Sequence, residues 1–167
     1  IFDFHRDTGS SGSNYDKREL QQITDNSINL LNRSQAYDLD FQYGQGRLID
    51  QIIAQEAGIN KPVLQVTAAC NNGSLSQYGN IWGFFSILNN PKNSLVVGAL
   101  STNQGLTSFS SKGPVFDGSM KPNIVADGSS VMSTGFDGDG SGEGLTGLAQ
   151  YESKGGTSMA SPAVAGS

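Results

Sequence analysis

Ser153 to Ser167, "SKGGTSMASPAVAGS", joins a glycine turn to a run of small residues. Pro162 follows Ser158 by about one turn, where proline is tolerated because the first N–H groups of a helix have no internal acceptor. The stretch therefore predicts a helix that begins close to Ser158. The free N–H groups would face the Ser158 hydroxyl, where an oxyanion forms when a serine attacks a carbonyl. Alternatively, Ser158 only caps the helix, since serine is a common N-cap.

Four apolar runs upstream predict buried strands separated by turns, at 27–34, 62–70, 93–100 and 121–128. Between the first two runs, apolar residues of 46–60 recur on one helical face, and Gly58 stands where a C-terminal cap is wanted. Strand, helix and strand form a right-handed parallel crossover. We therefore expect an α/β fold, a mostly parallel sheet flanked by helices.

The composition excludes several classes of protein. The chain has 167 residues, enough for one domain, and its formal net charge of −5 without a basic run argues against a nucleic-acid partner. No apolar stretch approaches the roughly 20 residues that span a bilayer, and the N-terminus has no signal-peptide pattern. The single cysteine excludes an intrachain disulfide. A soluble, loop-rich globular domain is expected.

The heptapeptide "GTSMASP", followed by "AVAG", closely resembles the active-site serine signature of the subtilisin-like serine proteases, the subtilases. Upstream, "INLLNRSQA" resembles the family's strand beside the substrate, and "AACNNG" resembles its oxyanion segment. The resemblance implies a subtilisin-like fold that is incomplete in this chain. Residues 27–167 are expected to form part of the peptidase domain, and residues 1–26 a poorly matched N-terminal arm or junction.

The resemblance implies that Ser158 is the nucleophile and that Asn71 is the side-chain oxyanion donor, with the Ser158 N–H as second donor. It also implies an extended substrate bound between two segments, Ser34, Gln35, Ala36 and Ala68, Ala69, Cys70. Two alternatives stay open for the oxyanion donor. Asn71 is an ordinary turn residue in Asn-Asn-Gly, or Asn72 is the donor because the register differs by one.

Three positions depart from the family pattern. Ala36 and Cys70 stand where the family has glycine, and each adds a side chain beside the expected substrate groove. We expect them to narrow the primary pocket or to block it. Asp127 stands where the family has proline in an Ala-Pro-Gly turn, a change that we interpret as structural.

The sequence does not reveal the base that would take the serine proton. The only histidine, His5, is not in the family's His-Gly-Thr-His pattern. Asp7, in "DTG", resembles the family's aspartate motif but follows the histidine instead of preceding it. We therefore interpret the chain as a fragment, or as a chain with internal residues missing, that covers the C-terminal part of the peptidase domain. Its catalytic histidine and aspartate are expected to lie outside it, and it is expected to be inactive and marginally stable by itself.

The loop 137–142, "DGDGSG", begins like a calcium-binding loop. Its twelfth position is Leu148, where a bidentate glutamate is needed. We interpret it as a solvated loop and assign no metal ligand. The family resemblance implies no required cofactor and leaves structural calcium open.

The resemblance implies a serine endopeptidase, a hydrolase that forms an acyl-enzyme on Ser158. Its partners would be a polypeptide substrate and the remainder of its own catalytic domain, with no nucleic acid and no membrane. The resemblance implies an extracellular or cell-envelope location. One alternative is an inactive subtilase-like binding module, a pseudoprotease. A sedolisin-type acid peptidase is disfavoured because it uses an acidic oxyanion residue where this chain has Asn71.

Overall fold

The computed structural model describes residues 25, 27–34, 63–74, 92–114, 118–134 and 151–167. Several sequence predictions lie outside these residues: the helix within 46–60, the residues His5, Asp7, Gln35 and Ala36, and the acidic loop 137–142.

The four predicted strands form one parallel sheet. They are β1 (Leu30–Arg33), β2 (Leu64–Ala68), β3 (Leu95–Leu100) and β4 (Ile124–Asp127), and their spatial order is their chain order. Every neighbouring pair is parallel. Each strand falls inside its predicted run, and the expectation of an α/β fold with a parallel sheet is confirmed. The prediction that all four strands are buried is wrong for β4, in which Ile124 and Val125 are exposed among the described residues.

The core lies between this sheet and helix α1 (Thr157–Ala165). Val66 on β2 and Val97 and Ala99 on β3 are buried and pack with Ala160 of the helix. β3 is buried along its four inner residues, as expected for a parallel strand covered on both faces. The small side chain of Ala160 lets the helix approach the sheet closely, which brings the first turn of the helix to the sheet edge.

A second, two-stranded sheet precedes the helix. β5 (Val131–Thr134) and β6 (Tyr151–Lys154) pair antiparallel, and most of their residues are exposed or half-exposed. The sequence did not predict β6, because this stretch has no buried face to impose an apolar alternation. β6 leads directly through two glycines into α1. The pairing of β5 with β6 therefore fixes the direction from which the chain enters the helix.

Gly128 joins the end of β4 to the start of the helix. Its N–H donates to the Leu100 carbonyl at 3.1 Å, and its carbonyl accepts from the Gly156 N–H at 2.7 Å. A Cβ on Gly128 would lie 2.5 Å from the Ala99 Cβ and 2.8 Å from the Gly156 carbonyl oxygen. Only glycine permits this approach, which holds the helix start at the carboxyl edge of the sheet.

Within the part of the chain that the structure describes, no helix has the length and apolar character needed to cross a membrane.

Candidate active site

The helix start places Ser158 in the first turn of α1. α1 begins at Thr157, its N-cap is Gly156, and no side chain of the cap residue bonds to the helix. Ser158 is therefore the second helical residue, and the alternative that it is the N-cap is wrong. In this turn the Met159 N–H donates to the Gly156 carbonyl at 3.0 Å, whereas the Ser158 N–H has no acceptor inside the helix, and the turn carries no acidic residue. The positive end of the helix dipole is therefore available to an anion at Ser158.

Asn71 contacts the helix start through its side-chain carbonyl. Its Oδ1 accepts from the Thr157 N–H at 2.9 Å and from the Thr157 hydroxyl at 3.0 Å. A backbone N–H can only donate, so these bonds fix which end of the amide faces the helix. The Nδ2 group is thereby turned toward Gly156, where an added Cβ would lie 3.2 Å from it. Since Asn71 is exposed, this amide donor is accessible to a ligand.

The backbone around Asn71 is held by a neighbouring segment. Cys70 has φ of 73°, in the left-handed region, and is buried. The Ser111 N–H donates to the Cys70 carbonyl at 2.9 Å, and the Asn72 N–H donates to the Ser111 hydroxyl oxygen at 3.1 Å. The Gly73 N–H donates to the Phe109 carbonyl at 2.8 Å. Asn71 thus presents its side chain to the helix, while Asn72 is bonded through its backbone to Ser111.

The opposite side of Ser158 faces the end of β1. The Ser158 hydroxyl donates to the Ser34 carbonyl at 3.4 Å, and the Ser34 hydroxyl donates to the Ser158 carbonyl at 3.1 Å. One turn further, the Ser161 hydroxyl donates to Asn32 Oδ1 at 2.7 Å, and Asn32 Nδ2 donates to the Ser34 hydroxyl oxygen at 3.2 Å. These bonds join β1 to the first turns of α1. A backbone carbonyl accepts a hydrogen bond but is too weak a base to remove the proton.

Sequence reasoning singled out Ser158, Asn71 and Ser34, and the structure brings these three residues together at the carboxyl edge of the sheet. It did not single out Asn32, Ser161 or Ser111. The available signal for Asn32 was its alternate spacing with Ser34, which puts both polar side chains on one face of a strand.

The predicted substrate residues at the end of β2 are buried. Ala68, Ala69 and Cys70 are 2%, 0% and 4% exposed. The Ala69 N–H donates to the Val97 carbonyl at 2.9 Å, and the Cys70 carbonyl accepts from Ser111. The Ala69 N–H and the Cys70 carbonyl are therefore already hydrogen-bonded within the fold. Among the described residues, no cluster of histidine, cysteine, aspartate or glutamate could hold a metal ion.

Comparison with known proteins finds a matching family and several solved structures of similar fold. The family model of the subtilase family, Peptidase_S8, matches residues 4–167. The solved structure of the PatG macrocyclase in complex with peptide has a TM-score of 0.59 and 19% identity, covering 89% of this chain and 38% of that one.

Two further structures are similar. A mutant of the protease domain of PatA has a TM-score of 0.56 and 20% identity, covering 89% of this chain and 45% of that one. The epidermin leader peptide processing serine protease EpiP from Staphylococcus aureus has a TM-score of 0.60 and 17% identity, covering 91% of this chain and 42% of that one. The chain spans less than half the length of each, and the likeness is one of fold.

Proposed function

The chain belongs to the subtilase family, and from this premise we propose that it carries the nucleophile and the oxyanion donors of a serine endopeptidase. In this proposal Ser158 attacks the peptide carbonyl, while Asn71 Nδ2 and the Ser158 N–H bind the oxygen that becomes negative. Membership of the subtilase family supports serine peptidase as the general activity. The roles of the individual residues are part of our proposal.

The contact between Asn71 and Thr157 supports the proposal most strongly. Oδ1 is occupied by two donors of Thr157, so the amide has no freedom to turn its Nδ2 group away. A donor fixed before the reaction needs no reorganisation when the oxyanion forms, and a neutral amide does not titrate. Removing one such donor costs roughly 10² to 10³ in rate, a magnitude measured in another member of this family.

The chemistry follows from these positions. The Ser158 oxygen forms a bond to the carbonyl carbon, its proton passes to a base, and the carbonyl oxygen becomes the oxyanion. When the tetrahedral intermediate collapses, the amine leaves with that proton and an ester on Ser158 remains. Water then attacks the ester and releases the acid. The peptide bound to the PatG macrocyclase supports a polypeptide as the substrate class.

The base is proposed to be a histidine held by an aspartate in the remainder of the catalytic domain. His5 is the only histidine of the sequence, and the residues after it do not form the family's pattern. The Ser158 hydroxyl donates to the Ser34 carbonyl and would exchange this partner for the base. We further propose that no cofactor is required and that the protein acts outside the cell or in the cell envelope.

Fluorophosphonate labelling tests the proposal, because the reagent reacts with an activated serine. The full-length protein that contains this chain and the 167-residue chain are labelled in parallel, and the modified residue is identified by mass spectrometry. We expect Ser158 to be labelled in the full-length protein and unlabelled in the short chain. Ser158→Ala should abolish the label. Ser167→Ala, which changes an exposed serine two residues beyond the end of the same helix, should keep it.

The other outcomes contradict parts of the proposal. Labelling of Ser158 in the short chain would place a working base inside these residues and point to His5. Labelling of neither protein would favour the pseudoprotease, a binding module that keeps the groove and has lost the base. The bond from Ser158 to a carbonyl that cannot act as base is the observation in favour of that second function.

A further inference from the structure

Ser111 contacts the backbone on both sides of Asn71. Its N–H donates to the Cys70 carbonyl at 2.9 Å, which lies before Asn71. Its hydroxyl oxygen accepts from the Asn72 N–H at 3.1 Å, which lies after Asn71. One residue therefore holds both peptide units that flank the proposed oxyanion donor, although it is 39 positions away from Asn72 in the sequence.

Ser111 is itself fixed to the core of the sheet. It is 0% exposed, as is its neighbour Ser110. The Ser110 hydroxyl oxygen accepts from the Ala99 N–H of β3 at 3.1 Å and donates to the Ser111 carbonyl at 3.4 Å. β3 is buried along its four inner residues, and the two bonds of Ser110 connect Ser111 to this strand.

We propose that Ser111 is a positioning residue for the oxyanion site: its hydroxyl fixes the backbone of Asn71 so that the side chain keeps Oδ1 on Thr157 and Nδ2 toward the substrate. The inference rests on the proposed function for its effect on rate. Its effect on the contact between Asn71 and Thr157 does not depend on activity. Without the hydroxyl, the Asn72 N–H loses its acceptor and the Asn71 backbone loses one of its two restraints.

Ser111→Ala removes the hydroxyl and keeps the N–H bond to Cys70. In the full-length protein we expect kcat for peptide hydrolysis to fall about tenfold with KM nearly unchanged, because the lost interaction serves the transition state. Thr107→Val is the matched control. Thr107 lies in the same segment, is buried, and donates its hydroxyl to the Ala99 carbonyl, away from the oxyanion site. Its variant should lower the melting temperature without lowering kcat.

The Asn71→Asp background separates positioning from general damage. If Ser111 acts through Asn71, Ser111→Ala should change kcat by less than about twofold once the Asn71 donor is gone, since the two losses are not additive. An equal tenfold loss in both backgrounds, or no loss in the wild-type background, would overturn the proposal.

Amide hydrogen exchange provides a readout that needs no activity. Ser111→Ala should speed exchange at Asn72 and also at Thr157, whose N–H is held by Asn71 Oδ1. Faster exchange at Asn72 alone would overturn the proposal, since Ser111 would then hold only its own turn. If the wild-type protein hydrolyses no peptide, the proposed function fails, and exchange at Thr157 still decides the positioning role.

A second variant covers the case in which Ser111→Ala does not fold. Ser111→Cys fills the same buried site, and sulfur is a weak acceptor. We expect a folded protein with faster exchange at Asn72 and Thr157 than in the wild type. Unchanged exchange at both amides would contradict the proposed positioning.

Discussion

The two sides of Ser158 are built differently. On the Asn71 side, the bonds to Thr157 and Ser111 are between 2.9 and 3.1 Å and fix both the side chain and its backbone. On the Ser34 side, the hydroxyl of Ser158 has one weak bond of 3.4 Å to a carbonyl. In the proposed mechanism the described residues therefore include the oxyanion donors, while the base that would activate the serine is not among them.

This difference indicates which half of the proposed chemistry these elements carry. The two proposed oxyanion donors, Asn71 Nδ2 and the Ser158 N–H, lie just after β2 and in the first turn of α1, and the same two elements contribute Val66 and Ala160 to the core. Activation of the nucleophile needs one further side chain on the other side. The two halves can therefore be disturbed separately by substitution.

Asn71→Asp should have the largest effect on the prepared side. Aspartate keeps an acceptor for Thr157 and loses the Nδ2 donor, so peptide hydrolysis should fall by roughly 10² to 10³ while the helix start stays intact. A carboxylate near a helix N-terminus contributes about 0.3–1 kcal/mol of stability, so the melting temperature should not fall. Kinetics and thermal unfolding measure the two effects. Asn72→Asp is the matched control: it adds the same charge at the adjacent position and should retain most of the rate of peptide hydrolysis.

Gly128→Ala should break the junction that both sides share. The new Cβ would lie 2.5 Å from the Ala99 Cβ and 2.8 Å from the Gly156 carbonyl oxygen. Overpacking of this kind costs about 1–3 kcal/mol of the free energy of unfolding, which denaturant titration measures. Gly155→Ala is the control, because the nearest atom to its added Cβ is 3.5 Å away. Equal losses for the two variants would mean that Gly128 is not closely packed.

Ser161→Ala and Asn32→Ala should weaken the link between β1 and α1. Each removes the 2.7 Å bond from the Ser161 hydroxyl to Asn32 Oδ1, and each should cost about 0.5–1.5 kcal/mol of the free energy of unfolding. The double variant should lose less than the sum of the single losses, because both act on one bond. Strict additivity in a double-mutant cycle would contradict the contact.

Cys70→Gly should have the smallest net effect. Glycine relieves the strain of a left-handed backbone at φ 73°, a conformation that costs other residues roughly 1–2 kcal/mol. This gain is offset because the buried side chain is lost and because glycine makes the unfolded chain more flexible. Unfolding measurements should find Cys70→Gly more stable than Cys70→Ala, even though alanine is larger. The reverse order would show that Cys70 is not left-handed in solution.

The sheet and the helix were predictable because their signals are local. β3 appears as a continuous apolar run, and the helix start appears as two glycines followed by Pro162. β6 was not predictable, because an exposed strand of Tyr151–Lys154 imposes no apolar pattern. At the site, sequence resemblance singled out Ser158 and Asn71. Ser111 lies in a serine-rich turn and was not singled out, because its proposed positioning role depends on a tertiary contact with Asn72, 39 positions away.

The most direct test of the oxyanion site is a crystal structure of the full-length protein with a phosphonate bound covalently to Ser158. The account predicts that the phosphonyl oxygen lies within about 2.7–3.1 Å of both Asn71 Nδ2 and the Ser158 backbone nitrogen. It also predicts that Oδ1 of Asn71 keeps its bonds to Thr157. A phosphonyl oxygen directed away from Asn71, or an Asn71 side chain that has left Thr157, would contradict it.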